Sequence, residues 1–125
     1  MDSTLRDQHI AALRTDAAKA MYDRTLARCA ERPAGVSPTD QDIIYDLCAA
    51  EDVCQELRAD IARRGVMIES RNGRQTYKKE NPALARLCRY GEYQRKIRAD
   101  LGITPKRTKA TEEEEEEQAD EFDAM

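Results

Sequence analysis

The chain has 125 residues, a formal net charge of −4, 37% charged and 40% apolar side chains, which is room for one domain rather than two. Eighteen of its 50 apolar residues are alanine, and Leu, Ile, Val and Phe together number only 19. The core is therefore thin, and a helical chain of this kind is expected to complete it by packing against copies of itself. The longest nearly uncharged apolar stretch, Ile43 to Ala50, is interrupted by Asp46 and falls far short of the roughly 20 residues that cross a bilayer.

The first seven residues, Met1 to Asp7, offer neither a basic nor an apolar leader segment, so a cytoplasmic location is expected. Cys29, Cys48, Cys54 and Cys88 are separated by 19, 6 and 34 positions. That spacing holds no CxxC and no paired zinc half-site, so they read as small helical hydrophobes. The charges are sharply segregated. Residues 1–55 carry 6 basic and 10 acidic side chains, residues 56–110 carry 15 and 6, and residues 111–125 carry none and 9. The net values are −4, +9 and −9, so the middle block suits a polyanion and the last block resembles one.

Taken in order, the first segment, about Leu5 to Arg32, is Ala-rich, with Leu5, Ile10, Leu13, Ala17, Ala20, Met21 and Leu26 at mostly helical spacing. It reads as one helix capped by Ser3 or Thr4 and ended at Pro33-Ala34-Gly35-Val36. A second helix is predicted from Pro38 to Arg64. Ser37 caps it, Pro38 suits its first turn, and the Asp40 carboxylate faces the positive end of its dipole. Along it Ile43, Leu47, Ala50, Cys54, Leu57 and Ile61 recur in steps of four and three, a heptad-like seam for another helix. Gly65 supplies a left-handed cap.

The period then shortens. Val66 to Tyr77 holds short β-prone runs on either side of Asn72-Gly73, a dipeptide that favours a type I′ turn, so a hairpin over 66–77 is predicted. Such a hairpin is marginal alone and must lean on the helices or on a neighbouring subunit. A third helix opens at Asn81-Pro82, carries Leu84, Leu87, Gly91, Gln94, Ile97 and Leu101 on one side, and stops at Gly102. From Thr111 on, six consecutive glutamates and Asp120-Glu121-Phe122-Asp123 cannot bury enough surface to fold alone, and a disordered acidic tail is expected. The organisation is thus an N-terminal helix and turn (1–36), a core with hairpin (37–110) and a tail (111–125). The fold class is mainly α, with three helices and a small hairpin between the second and third.

Little supports catalysis. His9 is the only histidine and reads as solvated, and no phosphate loop, HExxH or GxSxG is present. No catalytic residue, metal site or cofactor is predicted; the glutamate run lacks the fixed geometry of a Mg²⁺ or Ca²⁺ site. The basic block is the better lead, because Arg58, Arg63, Arg64, Arg71, Arg74, Lys78 and Lys79 gather around one helix end and its hairpin, where they can meet phosphates together.

The order of helix, Gly65, hairpin about Asn72-Gly73, Asn81-Pro82-Ala83-Leu84, basic helix and Leu101-Gly102-Ile103-Thr104-Pro105-Lys106-Arg107 resembles the P27 family of small terminase subunits of tailed phages. The resemblance covers about residues 41–108 and rests on the NPAL start and the LGITPKR ending; the six glutamates are not part of it. It implies a non-enzymatic component of a DNA-packaging motor in the host cytoplasm. Such a subunit forms an oligomeric ring that recognises double-stranded viral DNA and hands it to a large ATPase and nuclease subunit.

On this reading, contacts between copies fall to Ile43, Leu47, Cys54, Leu57, Ile61, Leu84, Leu87 and Leu101. Glu112, Glu113, Glu114, Glu115, Glu116, Glu117 and Phe122 would meet a basic surface of the large subunit and screen the basic block. A competing class is a small transcription regulator with a helix-turn-helix and a DNA-mimic tail. Its recognition helix would start with Asp40, Gln41 and Asp42, which repel phosphate. A third is a scaffold that does not bind DNA.

Overall fold

The computed structural model describes residues 3–103, so the expectations for Thr104 to Arg107 and for the acidic segment 111–125 lie outside the described residues. Four helices and one hairpin follow in chain order: α1 (Ser3–Ala12), α2 (Asp16–Ala30), α3 (Pro38–Arg64), β1 (Met67–Asn72), β2 (Gln75–Glu80) and α4 (Pro82–Asp100). The class is mainly α with a small hairpin, as expected. Among the described residues, no helix is long and apolar enough to cross a membrane.

The N-terminal segment is two helices rather than one. Thr15 adopts extended backbone and caps α2, its hydroxyl accepting from the Ala18 amide at 3.1 Å. The break is held from across the core. Asp52 of α3 accepts from the Arg14 and Thr15 amides at 2.9 Å each and from the Thr15 hydroxyl at 2.6 Å. One carboxylate thus satisfies amides that a helix start leaves without partners and sits where the α2 dipole favours negative charge. The Thr15-Asp16 pair carries this cap signal in the sequence; the alanine-rich periodicity on both sides hides it.

The remaining helices follow their local chemistry. Ser37 and Asp40 close a reciprocal capping box at the start of α3, while Arg32 pairs with Asp40 at 2.9 Å and donates to the Leu101 carbonyl at 2.7 Å. At the end of α4, the Gly102 amide bonds to the Ala99 carbonyl and the Ile103 amide to the Arg98 carbonyl. This is a Schellman cap, and it needs the positive φ of 70° that Gly102 supplies. Leu101 and Ile103 flank it and are both buried. The LGI of the ending motif is therefore a helix stop whose two apolar residues anchor α4 in the core.

Helix α3 packs on α4, α2 and α1, and the core gathers Leu13, Ala18, Tyr22, Leu26 and Cys29 with Ile44, Leu47, Cys48, Ile97, Leu101 and Ile103. Cys29, Cys48 and Cys54 are buried, and burial raises all three thiols, Cys48 to about 12. Cys88 departs from the sequence reading and is exposed. His9 is not solvated either. Its ring stacks on Tyr45 at 4.8 Å and meets the edge of Tyr22 at 5.5 Å, with Nδ1 2.7 Å from the Tyr22 hydroxyl and Nε2 3.2 Å from Asp42.

A second buried carboxylate ties α3 to α4. Glu51 accepts from Gln94 at 2.9 Å, Arg58 at 2.8 Å and Gln55 at 3.0 Å. Burial on its own would raise both Glu51 and Asp52, but the hydrogen bonds they accept together outweigh it and hold both below the ordinary carboxylate range. Groups depressed in the folded state contribute fully above their unfolded values, and that contribution is lost as pH falls through the folded ones. Urea unfolding at stepped pH should accordingly show stability falling below about pH 4. Asp52→Asn should cost about 2 kcal/mol at neutral pH and flatten that acid limb.

Candidate nucleic-acid interface

The hairpin stands on a junction built by Asn81. Its side chain caps α4 by accepting from the Ala83 amide at 3.0 Å, and accepts from Arg64 at 3.2 Å. Its NH₂ donates to the Gly65 carbonyl at 3.0 Å and to Asp60 at 3.2 Å, and its own amide donates to the Val66 carbonyl at 2.7 Å. The residue is fully buried. All the hydrogen-bonding capacity of one amide side chain is used to bring the end of α3 against the start of α4, so the intervening residues leave and return at one point. Gly65 makes the exit turn, with φ 90° and ψ 175°. That is not the left-handed helical cap anticipated but an extended, positive-φ conformation open essentially to glycine alone.

β1 and β2 pair antiparallel, with Met67 opposite Glu80 and Asn72 opposite Gln75. The strands run three residues beyond the expected end at Tyr77. The turn also differs by one position: its central pair is Gly73-Arg74, and among the described residues only glycines have positive φ. A type I′ turn needs positive φ at both central residues, whereas a glycine-first turn of type II′ needs it once. Asn72 is thereby freed to close the ladder. Every residue from Arg71 to Glu80 is exposed. The alternation of the ladder puts Arg71 and Lys78 on one face with Glu69. Lys79 lies on the other with Ile68 and Tyr77, and Arg74 sits at the tip.

The seven basic residues singled out in the sequence fall into two groups. Arg58 pairs with buried Glu51, and Arg63 and Arg64 both pair with Asp60 at 3.2 and 2.8 Å. Hydrogen bonds from Arg64 foremost, with Asn81 and Arg63, hold Asp60 below the ordinary range. Arg58 and Arg64 are thus tied to the scaffold, whereas Arg63 shares Asp60 with Arg64 and stays 78% exposed. For Arg71, Arg74, Lys78 and Lys79, no carboxylate lies within ion-pair distance among the described residues. Against Glu69, which lies opposite Lys78, and Glu80, these four cations give the exposed ribbon a net positive charge, the kind of surface to which polyanions are drawn.

Of the residues assigned to contacts between copies, Leu47, Cys54 and Leu101 are at most 2% exposed, and the chain's own packing consumes them. Ile43, Leu57, Ile61, Leu84 and Leu87 are half-buried. Sequence reasoning missed the exposed aromatics Tyr77, Tyr90 and Tyr93 and the exposed Val66 and Met67. Tyr90 and Tyr93 fall outside the Leu84-Leu87-Gly91-Gln94 stripe, a signal that was open to reading. The tail residues Glu112 to Glu117 and Phe122 lie outside the described residues.

A family model for phage terminase, small subunit, matches residues 18–118, a span that takes in the hairpin, its junction and α4. No curated protein and no solved structure matches the chain.

Because Asn81 both caps α4 and closes the hairpin root, Asn81→Ala should destabilise the fold by about 2 to 3 kcal/mol. Thermal unfolding should drop by roughly 10 °C, whereas Arg74→Ala at the exposed tip should leave it within about 2 °C of the parent.

Proposed function

Since the chain belongs to the phage terminase small-subunit family, we propose that it is a non-catalytic DNA-binding component of phage genome packaging whose hairpin meets the phosphate backbone. The observation that carries this reading is the separation of the cations. Arg58, Arg63 and Arg64 pair with Glu51 and Asp60 of α3, while Arg71, Arg74, Lys78 and Lys79 stand on a ribbon whose residues from 71 to 80 are all exposed. A duplex presents one phosphate charge per about 1.7 Å of axis. Cations on both faces and at the tip of a ribbon suit backbone attraction without base reading.

Within the family, the NPAL and LGITPKR motifs support the P27 branch. The thin core supports self-association, and the family resemblance supports a ring as its form. Its contact surface draws on the half-buried Ile43, Leu57, Ile61, Leu84 and Leu87 rather than on Leu47, Cys54 and Leu101. The acidic segment Glu112 to Glu117 with Phe122 engages a basic surface of the large packaging subunit in the host cytoplasm and screens the cationic block from indiscriminate DNA.

Two measurements test this. Anisotropy titrations of labelled duplex DNA across salt should give a log–log slope that flattens by about 3 to 4 per engaged chain in an R71A/R74A/K78A/K79A variant. An unchanged slope and affinity in a folded variant would overturn the hairpin assignment. Light scattering after size exclusion should give several times the 14.2 kDa of one chain, and a strict monomer at micromolar concentration would overturn self-association.

A further inference from the structure

Helix α4 carries a second cationic feature that the hairpin reading does not use. Arg86, Arg89, Tyr90 and Tyr93 line a surface groove of about 470 Å³. Their spacing of i, i+3, i+4 and i+7 sets them along one side of the helix, in line with Ile97, four residues beyond Tyr93. At Ile97 this side is buried in the core, with 6% exposure; at Tyr93 and Tyr90 exposure is 46% and 36%. The stripe thus continues past the point where the chain covers it. Among the described residues, neither arginine has an ion-pair partner. Lys96 adds an exposed cation one turn beyond Tyr93.

We propose that this groove is the binding site for the chain's own acidic segment, with Glu112 to Glu117 on the two guanidiniums and Phe122 against Tyr90 and Tyr93. Three observations favour that occupant. The groove combines two guanidiniums that have no ion-pair partner among the described residues with two exposed phenol rings. The segment combines nine carboxylates with the chain's single phenylalanine, so charge and aromatic character match together. The tether also reaches. Ile103 is anchored beside the end of α4, and eight residues lie between it and Glu112, nine chain steps that span up to about 30 Å. The helix rises only about 22 Å from Arg86 to Leu101. A tethered ligand acts at an effective concentration in the millimolar range, so even a weak site is filled.

This rests on the reading of residues 111–125 as a ligand for cationic surfaces. It separates the groove from the hairpin as the place where they rest.

The test is NMR on the ¹⁵N-labelled full chain with neither DNA nor another protein present. Amides of 112–123 should move toward random-coil positions in R86A/R89A, while Phe122→Ala should shift the Tyr90 and Tyr93 ring resonances. A synthetic peptide of residues 111–125 should bind in trans to a full chain whose six glutamates are replaced by glutamine. R86A/R89A should weaken that binding by about tenfold or more. The proposal is overturned if the segment's resonances are the same with and without the two arginines. It is equally overturned if they respond instead to R71A/R74A/K78A/K79A, or if the tyrosine shifts follow protein concentration rather than the segment, which would mark the groove as a contact between copies. Loss of DNA binding with these shifts intact would sink the hairpin assignment and leave the groove standing.

Discussion

The four hydrogen bonds of the Asn81 side chain hold the end of α3, the start of α4 and the root of the hairpin in one arrangement. Removing any partner would leave a buried polar atom exposed to the full cost of desolvation. The junction is therefore cooperative, and the hairpin's direction is a property of the helix pair rather than of the hairpin. This matters for a ribbon in which every residue of the second strand is exposed. Such a strand has almost no packing of its own to aim it, so the aim comes from Gly65, Val66 and Asn81 below it. Arg64 takes part in the junction and its charge is spent there on Asp60 and Asn81. A cation adjacent in sequence to the proposed interface is thus part of its mounting.

Buried carboxylates organise the rest of the chain in the same way. Asp52 fixes the break between α1 and α2, and Glu51, its neighbour in sequence, reaches Gln94 of α4 from the other side of α3. Two consecutive acidic residues bind the central helix to elements on different flanks. A chain with so few large aliphatic side chains gains from this arrangement. The hydrogen bonds are directional and set register, which alanine contacts of low relief cannot do.

What could be read in the sequence follows from how local each cause is. Helix α3 was legible to its ends, because Ser37, Pro38, Asp40 and Gly65 act within a turn of the residues they govern. The start of α4 was legible from Asn81-Pro82 for the same reason. The division at Thr15 was not, since its decisive partner lies 37 positions away. At the hairpin, Asn72-Gly73 announced the turn but not its register, which the ladder fixes by pairing Asn72 with Gln75. The basic cluster was visible as composition. Its division into scaffold and free cations depends on Glu51 and Asp60 finding Arg58, Arg63 and Arg64 in space, and charge counting cannot supply that. The packing of His9 between Tyr22 and Tyr45 is likewise tertiary.

A sheet of two strands has two open edges, and each offers unpaired amides and carbonyls to any extended chain that drifts past. Here those edges carry Arg71, Lys78 and Lys79, with Arg74 at the tip, and like charges bar a second hairpin from zipping onto the first. The side chains proposed to meet phosphate are therefore also the ribbon's guard against aggregation. On the proposed reading, drift at these positions is constrained twice over: a neutral ribbon would lose the charge meant for a polyanion and at the same moment become adhesive toward its own copies. In the proposed assembly, crowding many hairpins together is tolerable only while that shared charge persists.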